Sequence, residues 1–261
     1  MLVEERKEQI CDLLNTKKAV RVSELSRRFN VSETTIRHDL DELQDEKKIR
    51  RTHGGAVALY PAGRKYVISD LAVKNEAEKK MIAERAYEFI EDNDAVLFDG
   101  SSTVLELCKI IAEGNRKDLI IVTNAFSVVT VLNNKKDIRI FHVGGEVRYP
   151  INSSVGKIAE ETVSGMRVDK VFLGVNGIDT DYGYSITDLD EASVKQKMLR
   201  SAKQSFVLAD HTKFGASCMA KVADFSGEID FLITDARMPD FSYDPYEEAV
   251  NLIFAVEKSK I

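Results

Sequence analysis

A glycine and three hydroxyl residues follow an apolar run near the middle of the chain. The segment AVLFDGSST, residues 95–103, ends with Ser101, Ser102 and Thr103, and a helical pattern begins there. Hydroxyls and backbone N–H groups at a helix N-terminus bind phosphate through oriented donors and the helix dipole. The same residues are common helix caps, and the segment taken alone favours that interpretation. A phosphate site therefore needs support from other segments.

A second segment with polar potential is DHTKFG, residues 210–215. Asp210 ends an apolar run and Lys213 follows three residues later, so the pair could hold a sugar hydroxyl and a phosphate or carbonyl. The alternative is a surface turn with a solvated lysine. Glu191 and Lys195 have a helical spacing of four, which suits a surface ion pair worth a few tenths of a kcal/mol or the rim of a pocket.

Strand-like and helix-like segments alternate through the last two hundred residues. The apolar runs are AVLFD (95–99), LIIVTN (119–124), IRIFHVGG (138–145), KVFLGVNG (170–177), SFVLAD (205–210) and FLITD (231–235). This alternation predicts a parallel sheet covered on both faces by helices, with ligands beyond the carboxyl ends of the strands. Polar and glycine residues gather at those ends: Asp99-Gly100, Thr123-Asn124, Gly144-Gly145, Asn176-Gly177 and Asp210. Their repetition favours a pocket.

The first sixty residues carry a purely helical pattern followed by a hairpin pattern. An amphipathic helix ends near residues 15–16, a second begins with Ser23 as its N-cap, and a third begins with Ser32 as its N-cap. Asn30 and Val31 form the short turn between the last two. A leading helix and two short helices joined by a tight turn form the order of a helix-turn-helix unit.

The helical period stops in KKIRRTHGGAVALY, residues 47–60. Its apolar residues can serve two short strands, with Gly54 and Gly55 supplying turn conformations that other residues resist. Such a wing would lay its basic residues along a phosphate backbone: Lys47, Lys48, Arg50, Arg51 and His53. The alternative is a three-helix interaction module with solvated charges. The turn length, the hydroxyls that begin the third helix and the basic hairpin together favour DNA binding.

Composition and charge limit the class of protein. The 261 residues are 44% hydrophobic and 31% charged, which are values of a globular chain. No apolar run approaches the roughly 20 residues of a membrane span, and from the charged residues at the N-terminus we expect no secretory signal. Three scattered cysteines predict buried thiols in a reducing cytoplasm. They and the four scattered histidines give no metal spacing, so we expect no metal and no cofactor.

Charge is distributed unevenly along the chain. Net charge is −6 overall, but residues 1–65 hold 14 Lys and Arg against 11 Asp and Glu, a balance of +3, which leaves −9 for the remainder. Such asymmetry indicates different partners for the two parts. Because +3 is modest, DNA contact must come from local clustering.

The motifs resemble those of a known family. VSELSRRFNVSETTIRHDLDEL (22–43), followed by IRRTHGGAV (49–57), resembles the N-terminal signature of the DeoR family of bacterial transcriptional regulators. DGSST, TNAF, VGGEVR, FLGVNGID and ADHTKFG are similar to successive motifs of the DeoR-type sensor domain, so the resemblance covers nearly the whole chain. The family usually has two arginines where this chain has Arg37 and His38. A neutral imidazole attracts phosphate less than arginine does.

The resemblance implies a fold and a set of binding residues. The fold would be an N-terminal winged helix-turn-helix and a larger α/β domain with a mostly parallel sheet flanked by helices, similar to the ribose-5-phosphate isomerase fold. The implied DNA-binding residues are Ser32, Thr34, Thr35, Arg37, His38, Arg50, Arg51 and His53. The implied ligands of a phosphorylated sugar effector are Asp99, Gly100, Ser101, Ser102, Thr103, Thr123, Asn124, Gly144, Gly145, Asp210 and Lys213.

We therefore expect residues 1–58 to bind double-stranded operator DNA, 59–75 to form a linker and 76–261 to sense the effector. The expected protein is a cytoplasmic regulator, a repressor of sugar-metabolism genes, acting as a homodimer or homotetramer without catalytic residues. The alternative is a sugar-phosphate isomerase or deaminase with an appended DNA-binding domain. Isomerisation needs a positioned base, and the candidates would be Asp99, Asp188, Glu191 and Asp210, with Lys213 as a charge stabiliser. The helix-turn-helix favours the regulator.

Overall fold

The computed structural model describes residues 2–17, 19–46, 48–52, 54–58, 74–238 and 241–255. The chain divides into two compact units, one of Met1–Pro61 with Met238–Tyr243 and one of Ala62–Arg237 with Asp244–Ile261. Within the described ranges no helix has the length and apolar character needed to cross a membrane.

The N-terminal unit is a three-helix core with a small sheet. Its elements are α1 (Val3–Lys17), β1 (Ala19–Arg21), α2 (Val22–Phe29), α3 (Glu33–Asp45), β2 (Ile49–Thr52) and β3 (Gly55–Ala58). The antiparallel sheet has the order β1-β3-β2. The predicted winged helix-turn-helix is thus confirmed, with β1 as a strand that the sequence pattern did not indicate.

The start of α3 matches its prediction and the start of α2 does not. The hydroxyl of Ser32 accepts a hydrogen bond from the Thr35 backbone N–H at 3.1 Å, as an N-cap should. The prediction that Ser23 caps α2 was wrong. Arg21 is the cap residue, without a side-chain hydrogen bond, because the chain passes directly from β1 into α2 and leaves Ser23 inside the first turn.

Gly55 has a different role from the one predicted. It lies inside β3, paired with Thr52 and Arg21, and the hairpin turn lies between Thr52 and Gly55. A Cβ at Gly55 would lie 1.9 Å from the carbonyl oxygen of Val20. Gly55 is therefore required by the close approach of β1 and not by a turn conformation.

The C-terminal unit alternates helices and strands as predicted. Its helices are α4 (Glu76–Tyr87), α5 (Ser102–Glu113), α6 (Phe126–Leu132), α7 (Lys157–Ser164), α8 (Leu189–Ser201) and α9 (Asp244–Ala249), with short 3-10 helices at Tyr149–Ile151 and His211–Lys213. Its strands are β4 (Ala95–Phe98), β5 (Leu119–Thr123), β6 (Ile138–His142), β7 (Glu146–Arg148), β8 (Ser153–Val155), β9 (Val168–Gly174), β10 (Gly177–Asp179), β11 (Gly183–Ile186), β12 (Ala202–Leu208), β13 (Ala220–Ala223), β14 (Phe231–Thr234) and β15 (Asn251–Phe254).

Seven of these strands form one parallel sheet, in the order β15-β14-β12-β9-β4-β5-β6. Six of them overlap the six predicted runs, and β15 was not predicted because its apolar run is short. Helices cover both faces. Phe98 packs in a core with α4, α5 and α6, while its neighbour Leu97 packs on the opposite face with α7 and α8. The predicted α/β class is confirmed.

The strand order reverses between β4 and β9. From β4 the chain proceeds through β5 to β6 on one side, and from β9 through β12 and β14 to β15 on the other. In open α/β sheets such a reversal leaves a crevice outside the carboxyl ends of the two adjacent strands, and ligands bind there. The topology therefore locates a candidate site at the ends of β4 and β9.

The three cysteines are free thiols. Cys108 and Cys218 are buried as predicted, whereas Cys11 is half-buried. Burial raises the pKa of the Cys218 thiol to about 11. A thiol with a pKa this high is unreactive at neutral pH.

Candidate functional site

A cavity that is open to solvent occupies the crevice at the carboxyl ends of β4, β9 and β12. The segment after β4, the end of β9, the start of α8, the segment after β12 and α4 all contribute to its wall. Six of the eleven predicted effector residues line it: Gly100, Ser101, Ser102, Thr103, Asp210 and Lys213. Other lining residues include Lys74, Lys79, Ile151, Gly174, Asn176, Thr187, Glu191 and Lys195.

Residues 101–103, which follow β4 and are called the hydroxyl turn below, form the N-terminus of α5. Ser101 is its N-cap, and the Ser101 hydroxyl accepts a hydrogen bond from the Val104 backbone N–H at 3.3 Å. Ser102 and Thr103 follow in the first helical turn and line the cavity. The capping interpretation and the binding interpretation are therefore compatible, since one serine caps the helix while its N-terminal dipole faces an open cavity.

Two glycines allow the turn to pack closely. A Cβ at Gly100 would lie 2.2 Å from the Ser153 hydroxyl oxygen, and one at Gly174 would lie 2.3 Å from the Ser101 Cβ. Larger residues at either position would displace the hydroxyl turn. Gly174 was not among the predicted residues.

Lysines surround the hydroxyl turn. Lys79 of α4 is only 3% exposed, and its ammonium donates a hydrogen bond to the carbonyl oxygen of Lys74 at 2.6 Å. Burial lowers the pKa of Lys79 against the attraction of Asp210. The Lys213 ammonium lies 3.7 Å from the Asp210 carboxylate. A buried ammonium with a lowered pKa gains from an anion beside it, so this side of the cavity suits a phosphate.

Asp210 is buried and held in place by three donors. Its carboxylate accepts hydrogen bonds from the Thr212 backbone N–H at 3.0 Å, from the Thr212 hydroxyl and from the Asn75 side-chain amide at 3.1 Å. Burial acts to raise the pKa of Asp210, but Lys213 and the bonds from Thr212 outweigh it and the net shift is downward. Asp210 is thus an ionised acceptor at the cavity wall.

Asp99 lies beneath the cavity as part of a buried charge cluster. Its carboxylate accepts hydrogen bonds from the backbone N–H groups of Ser101 at 2.9 Å and Gly174 at 2.8 Å, and from the Lys195 ammonium. Lys195 is 2% exposed and also lies 3.2 Å from Glu191. The surface ion pair considered for Glu191 and Lys195 is therefore wrong, because the pair is buried at the cavity.

Five predicted effector residues do not line the cavity: Asp99, Thr123, Asn124, Gly144 and Gly145. The Asn124 side-chain amide donates to the Ser154 carbonyl oxygen at 2.7 Å. Gly145 has a φ of +154°, and a Cβ there would lie 2.6 Å from the Val155 carbonyl oxygen. Asn124 and Gly145 pack against the β7–β8 segment, which brings Ile151 to the cavity, whereas a Cβ at Gly144 would meet no atom within 4 Å.

A signal for Lys79 was present in the sequence. Lys79 precedes Ile82, Ala83 and Ala86 by three, four and seven residues, the spacing of one helix face, and all three are buried. A lysine on the apolar face of a helix is costly unless it has a specific partner. For Lys195 the sequence offered only the i, i+4 spacing to Glu191, which does not distinguish a buried pair from an exposed one.

The exposed face of α3 presents the predicted DNA-contacting residues. Thr34, Arg37 and His38 are exposed and Thr35 is half-buried. The Arg37 guanidinium lies 3.6 Å from the Glu33 carboxylate, and His38 Nδ1 lies 3.3 Å from that of Glu42. Exposed pairs of this kind are weak and exchange readily.

The wing is fastened to α3 by Arg51. The Arg51 guanidinium donates to the Arg37 carbonyl oxygen at 3.0 Å and to the Asp41 carboxylate, and its backbone N–H donates to the Gln44 side chain at 2.8 Å. Its side chain is 18% exposed. His53 and Lys47, and the side chain of Arg50, lie outside the part of the chain that the structure describes.

A buried ion pair fixes the opposite face of α3. Arg6 of α1 makes two hydrogen bonds to the Asp39 carboxylate, at 2.6 and 2.9 Å, with both side chains buried. Lys7 pairs with Glu42 beside them. The helix α3 is therefore oriented by charge as well as by its apolar face, in which Ile36, Leu40 and Leu43 are buried.

Among the described residues, no group of three or more histidine, cysteine, aspartate or glutamate side chains has the arrangement of a metal site. The cavity of the C-terminal unit combines a helix N-terminus, lysines and two carboxylates, those of Glu191 and Asp210.

Two family profiles match the chain. The profile described as a DeoR-like helix-turn-helix domain matches residues 6–61, and the one described as the DeoR C terminal sensor domain matches residues 74–236. Over 260 residues the chain is 32% identical to the uncharacterized HTH-type transcriptional regulator YulB of Bacillus subtilis (strain 168), covering 100% of this chain and 99% of that protein.

Two further relatives carry repressor names. The chain is 33% identical to the HTH-type transcriptional repressor GlcR of Bacillus subtilis (strain 168), over 93% of this chain and 92% of that protein. It is 33% identical to the lactose phosphotransferase system repressor of Staphylococcus aureus (strain NCTC 8325 / PS 47), over 81% and 84%. Among solved structures, D-ribose-5-phosphate isomerase in complex with phospho-erythronic acid has a TM-score of 0.40 at 20% identity, over 53% of this chain and 54% of that chain. A similarity this low to the isomerase structure supports no statement about the activity of this chain.

Proposed function

The chain belongs to the DeoR family of transcriptional regulators, and from this membership we propose that it represses sugar-metabolism genes by binding operator DNA with an affinity that a phosphorylated sugar changes. The observation that carries the effector part is the cavity at the strand-order reversal. It joins the N-terminus of α5 to the side chains of Lys79 and Lys213. Phosphate binds at helix N-termini, and lysine ammonium groups add attraction.

Each part of the cavity would have a role in binding. Ser101, Ser102 and Thr103 would hold the phosphate together with the lysines. Asp210, an ionised acceptor, would take a sugar hydroxyl. Asn124 and Gly145 would act through the β7–β8 segment, since they pack against that segment and do not line the cavity, and Gly144 does not line it either.

DNA binding would belong to residues 1–58 and effector sensing to residues 76–261, with residues 59–75 between them. Thr34, Thr35, Arg37 and His38 on α3 would enter the major groove, and Ser32, Arg50 and His53 would contact the backbone. Arg51 would hold the wing in register with α3, because its guanidinium is already bonded to that helix. A homodimer or homotetramer acting in the cytoplasm would present two recognition helices to two half-sites.

The regulatory step follows from linkage. An effector changes operator affinity only if it binds the DNA-competent and DNA-incompetent states with different affinities. The relatives named as repressors, GlcR and the lactose phosphotransferase system repressor, support the direction of the control. Since relatives over the full length are regulators, we propose that the cavity binds its ligand without turnover.

Thermal unfolding of the purified protein, measured against a panel of sugar phosphates and their unphosphorylated sugars, tests the effector. A ligand at a hundredfold excess over its Kd should add about 2.7 kcal/mol of apparent stability. We expect one phosphosugar to stabilise the protein, its free sugar to have no effect, and the variants Ser102→Ala and Lys213→Ala to weaken the response. Conversion of the phosphosugar to a product would instead support an isomerase, and equal stabilisation by the free sugar would argue against the phosphate site.

A further inference from the structure

The ammonium of Lys195 is fully engaged by the protein. A lysine has three N–H donors. Those of Lys195 face three acceptors, namely the Asp99 carboxylate, the Gly174 carbonyl oxygen at 3.0 Å and Glu191 Oε1 at 3.2 Å. Lys195 lines the cavity, but it can bind a ligand only by giving up one of these partners. Its role is to hold the two carboxylates.

The two carboxylates are not equivalent. Asp99 is 1% exposed and is also bonded to the backbone N–H groups of Ser101 and Gly174. Glu191 is 17% exposed in its side chain and lines the cavity. The Lys195 ammonium lies 3.2 Å from its Oε1, and among the described residues no donor forms a hydrogen bond to Oε2. Because Lys195 carries one positive charge for two carboxylates, Glu191 presents a surplus acceptor and a surplus negative charge to the cavity.

Lys79 and Glu191 belong to walls of the cavity that come from opposite faces of the sheet. Lys79 belongs to α4, which packs with α5 on one face, whereas Glu191 begins α8, which packs on the other. Their electrostatic neighbours also differ. Burial lowers the pKa of Lys79 against the attraction of Asp210, and burial raises the pKa of Glu191 against the attraction of Lys195. The cavity therefore has Lys79 and Glu191 on different walls, with Asp210 as the acidic neighbour of Lys79 and Lys195 as the basic neighbour of Glu191.

We propose that Glu191 is a specificity-determining residue, which accepts a hydrogen bond from an effector hydroxyl remote from the phosphate and excludes effectors with a second anionic group at that end. The effector class would then be a hydroxylated sugar monophosphate, and sugar bisphosphates and phosphorylated sugar acids would be rejected. The proposal rests on the proposed phosphosugar site. It rests physically on an acceptor that lacks a protein donor and on repulsion of like charge, which is how sites reject near-isosteric ligands.

The test is calorimetric titration of the full-length protein with three kinds of probe: inorganic phosphate, hexose and pentose monophosphates, and their anionic counterparts. Fructose 6-phosphate with fructose 1,6-bisphosphate and glucose 6-phosphate with 6-phosphogluconate are two such pairs. For the wild type we expect some monophosphate to bind at least about tenfold more tightly than inorganic phosphate, and also at least about tenfold more tightly than its anionic counterpart, each about 1.4 kcal/mol.

Glu191→Gln keeps the shape and removes the charge. It should reduce the preference for the monophosphate over its anionic counterpart by about fivefold or more, while the affinity for inorganic phosphate changes by less than about threefold. Glu191→Asp retracts the carboxylate and keeps the charge, so it should weaken monophosphate binding yet still reject the second anion. Asp190→Asn is the matched control, because it removes the same charge one residue away, where Asp190 pairs with Arg148 and does not line the cavity.

The outcomes separate this proposal from the one on which it rests. An unchanged preference in a folded Glu191→Gln variant, or an equal change in Asp190→Asn, overturns the role of Glu191. Binding of inorganic phosphate as tightly as every phosphosugar overturns it as well, while the phosphate site stands. Failure of both inorganic phosphate and all phosphosugars to bind overturns the proposed function itself.

Discussion

The Arg51 guanidinium in the wing donates a hydrogen bond to the backbone carbonyl oxygen of Arg37 in the recognition helix, at 3.0 Å. One arginine of the candidate DNA surface therefore supports the backbone of another. A basic residue can serve DNA binding by contact or by support, and these two roles differ in their dependence on salt. Each contact with phosphate releases counterions, whereas support within the protein releases none.

Arg51→Ala should lower operator affinity by about tenfold, which corresponds to about 1.4 kcal/mol. The loss is expected because the variant lacks the hydrogen bonds that hold the wing against α3. The slope of log K against log salt should stay unchanged. The measurement is fluorescence anisotropy with a duplex selected on the protein from a random pool, at several salt concentrations. Arg37→Ala is the comparison and should reduce the slope by about one if it contacts phosphate. An equal loss of slope in Arg51→Ala would show that Arg51 contacts the DNA directly.

Asp39→Ala should destabilise the N-terminal unit by about 3 kcal/mol, since it leaves the buried Arg6 without its partner. Replacing both residues, as Arg6→Met with Asp39→Leu, should recover most of the loss. Urea unfolding of the full chain, followed by circular dichroism, measures both variants. If the double variant is no more stable than Asp39→Ala, the loss does not come from an unpaired charge.

Lys79→Met should weaken binding of the phosphosugar by about tenfold, since a charge-assisted bond to phosphate is removed. It should also change how stability depends on pH without ligand. Burial lowers the pKa of Lys79 from 10.5 in the folded state, so above that lowered pKa the unfolded chain binds more protons and stability rises with pH up to about 10.5. The variant should lack this rise between neutral pH and pH 10. A retained rise would assign it to another group.

The raised pKa of His211 predicts that stability falls with rising pH, the opposite of the effect of Lys79. A hydrogen bond to Asp235, at 2.5 Å from His211 Nδ1, raises the pKa of His211 above 6.5. Its stabilisation is therefore complete below pH 6.5 and is lost as pH rises through the folded pKa. His211→Gln should remove a loss of less than about 1 kcal/mol between pH 6 and pH 8.5. Denaturant unfolding at the two values measures it, and identical pH profiles for variant and wild type would contradict the prediction.

The parallel sheet and the winged helix-turn-helix followed from sequence because both rest on periodicity, which each segment carries by itself. Six strand runs and the Ser32 cap were visible in this way. β1 was not, since three residues hold no period, and its presence moved the start of α2 from Ser23 to Val22. Gly55 was correctly predicted to be a position that needs glycine, but the predicted reason was wrong. The close approach of Val20 depends on the pairing of β1 with β3, which are distant in sequence.

The residues of the candidate site also fall into two groups, those that local sequence identified and those whose position depends on contacts distant in sequence. The hydroxyl turn and Asp210 could be identified because polar residues at strand ends lie together in any parallel sheet. Lys195 could not, because its burial depends on Asp99, ninety-six positions earlier in the chain. Asn124 and Gly145 also follow strand ends, yet the β7–β8 segment packs over them and separates them from the cavity. Sequence indicates which residues approach a site and not what covers them.

The reversal of strand order has a consequence for synthesis on the ribosome. β4 and the hydroxyl turn emerge about a hundred residues before Asp210 and Lys213, with β5 and β6 extending the sheet away from the site in between. The cavity is completed only when β9 and β12 join the other side of β4. A chain released at a premature stop codon just before residue 202 therefore contains the whole of α3 and the wing, but it lacks Leu208, Asp210 and Lys213 of the cavity wall.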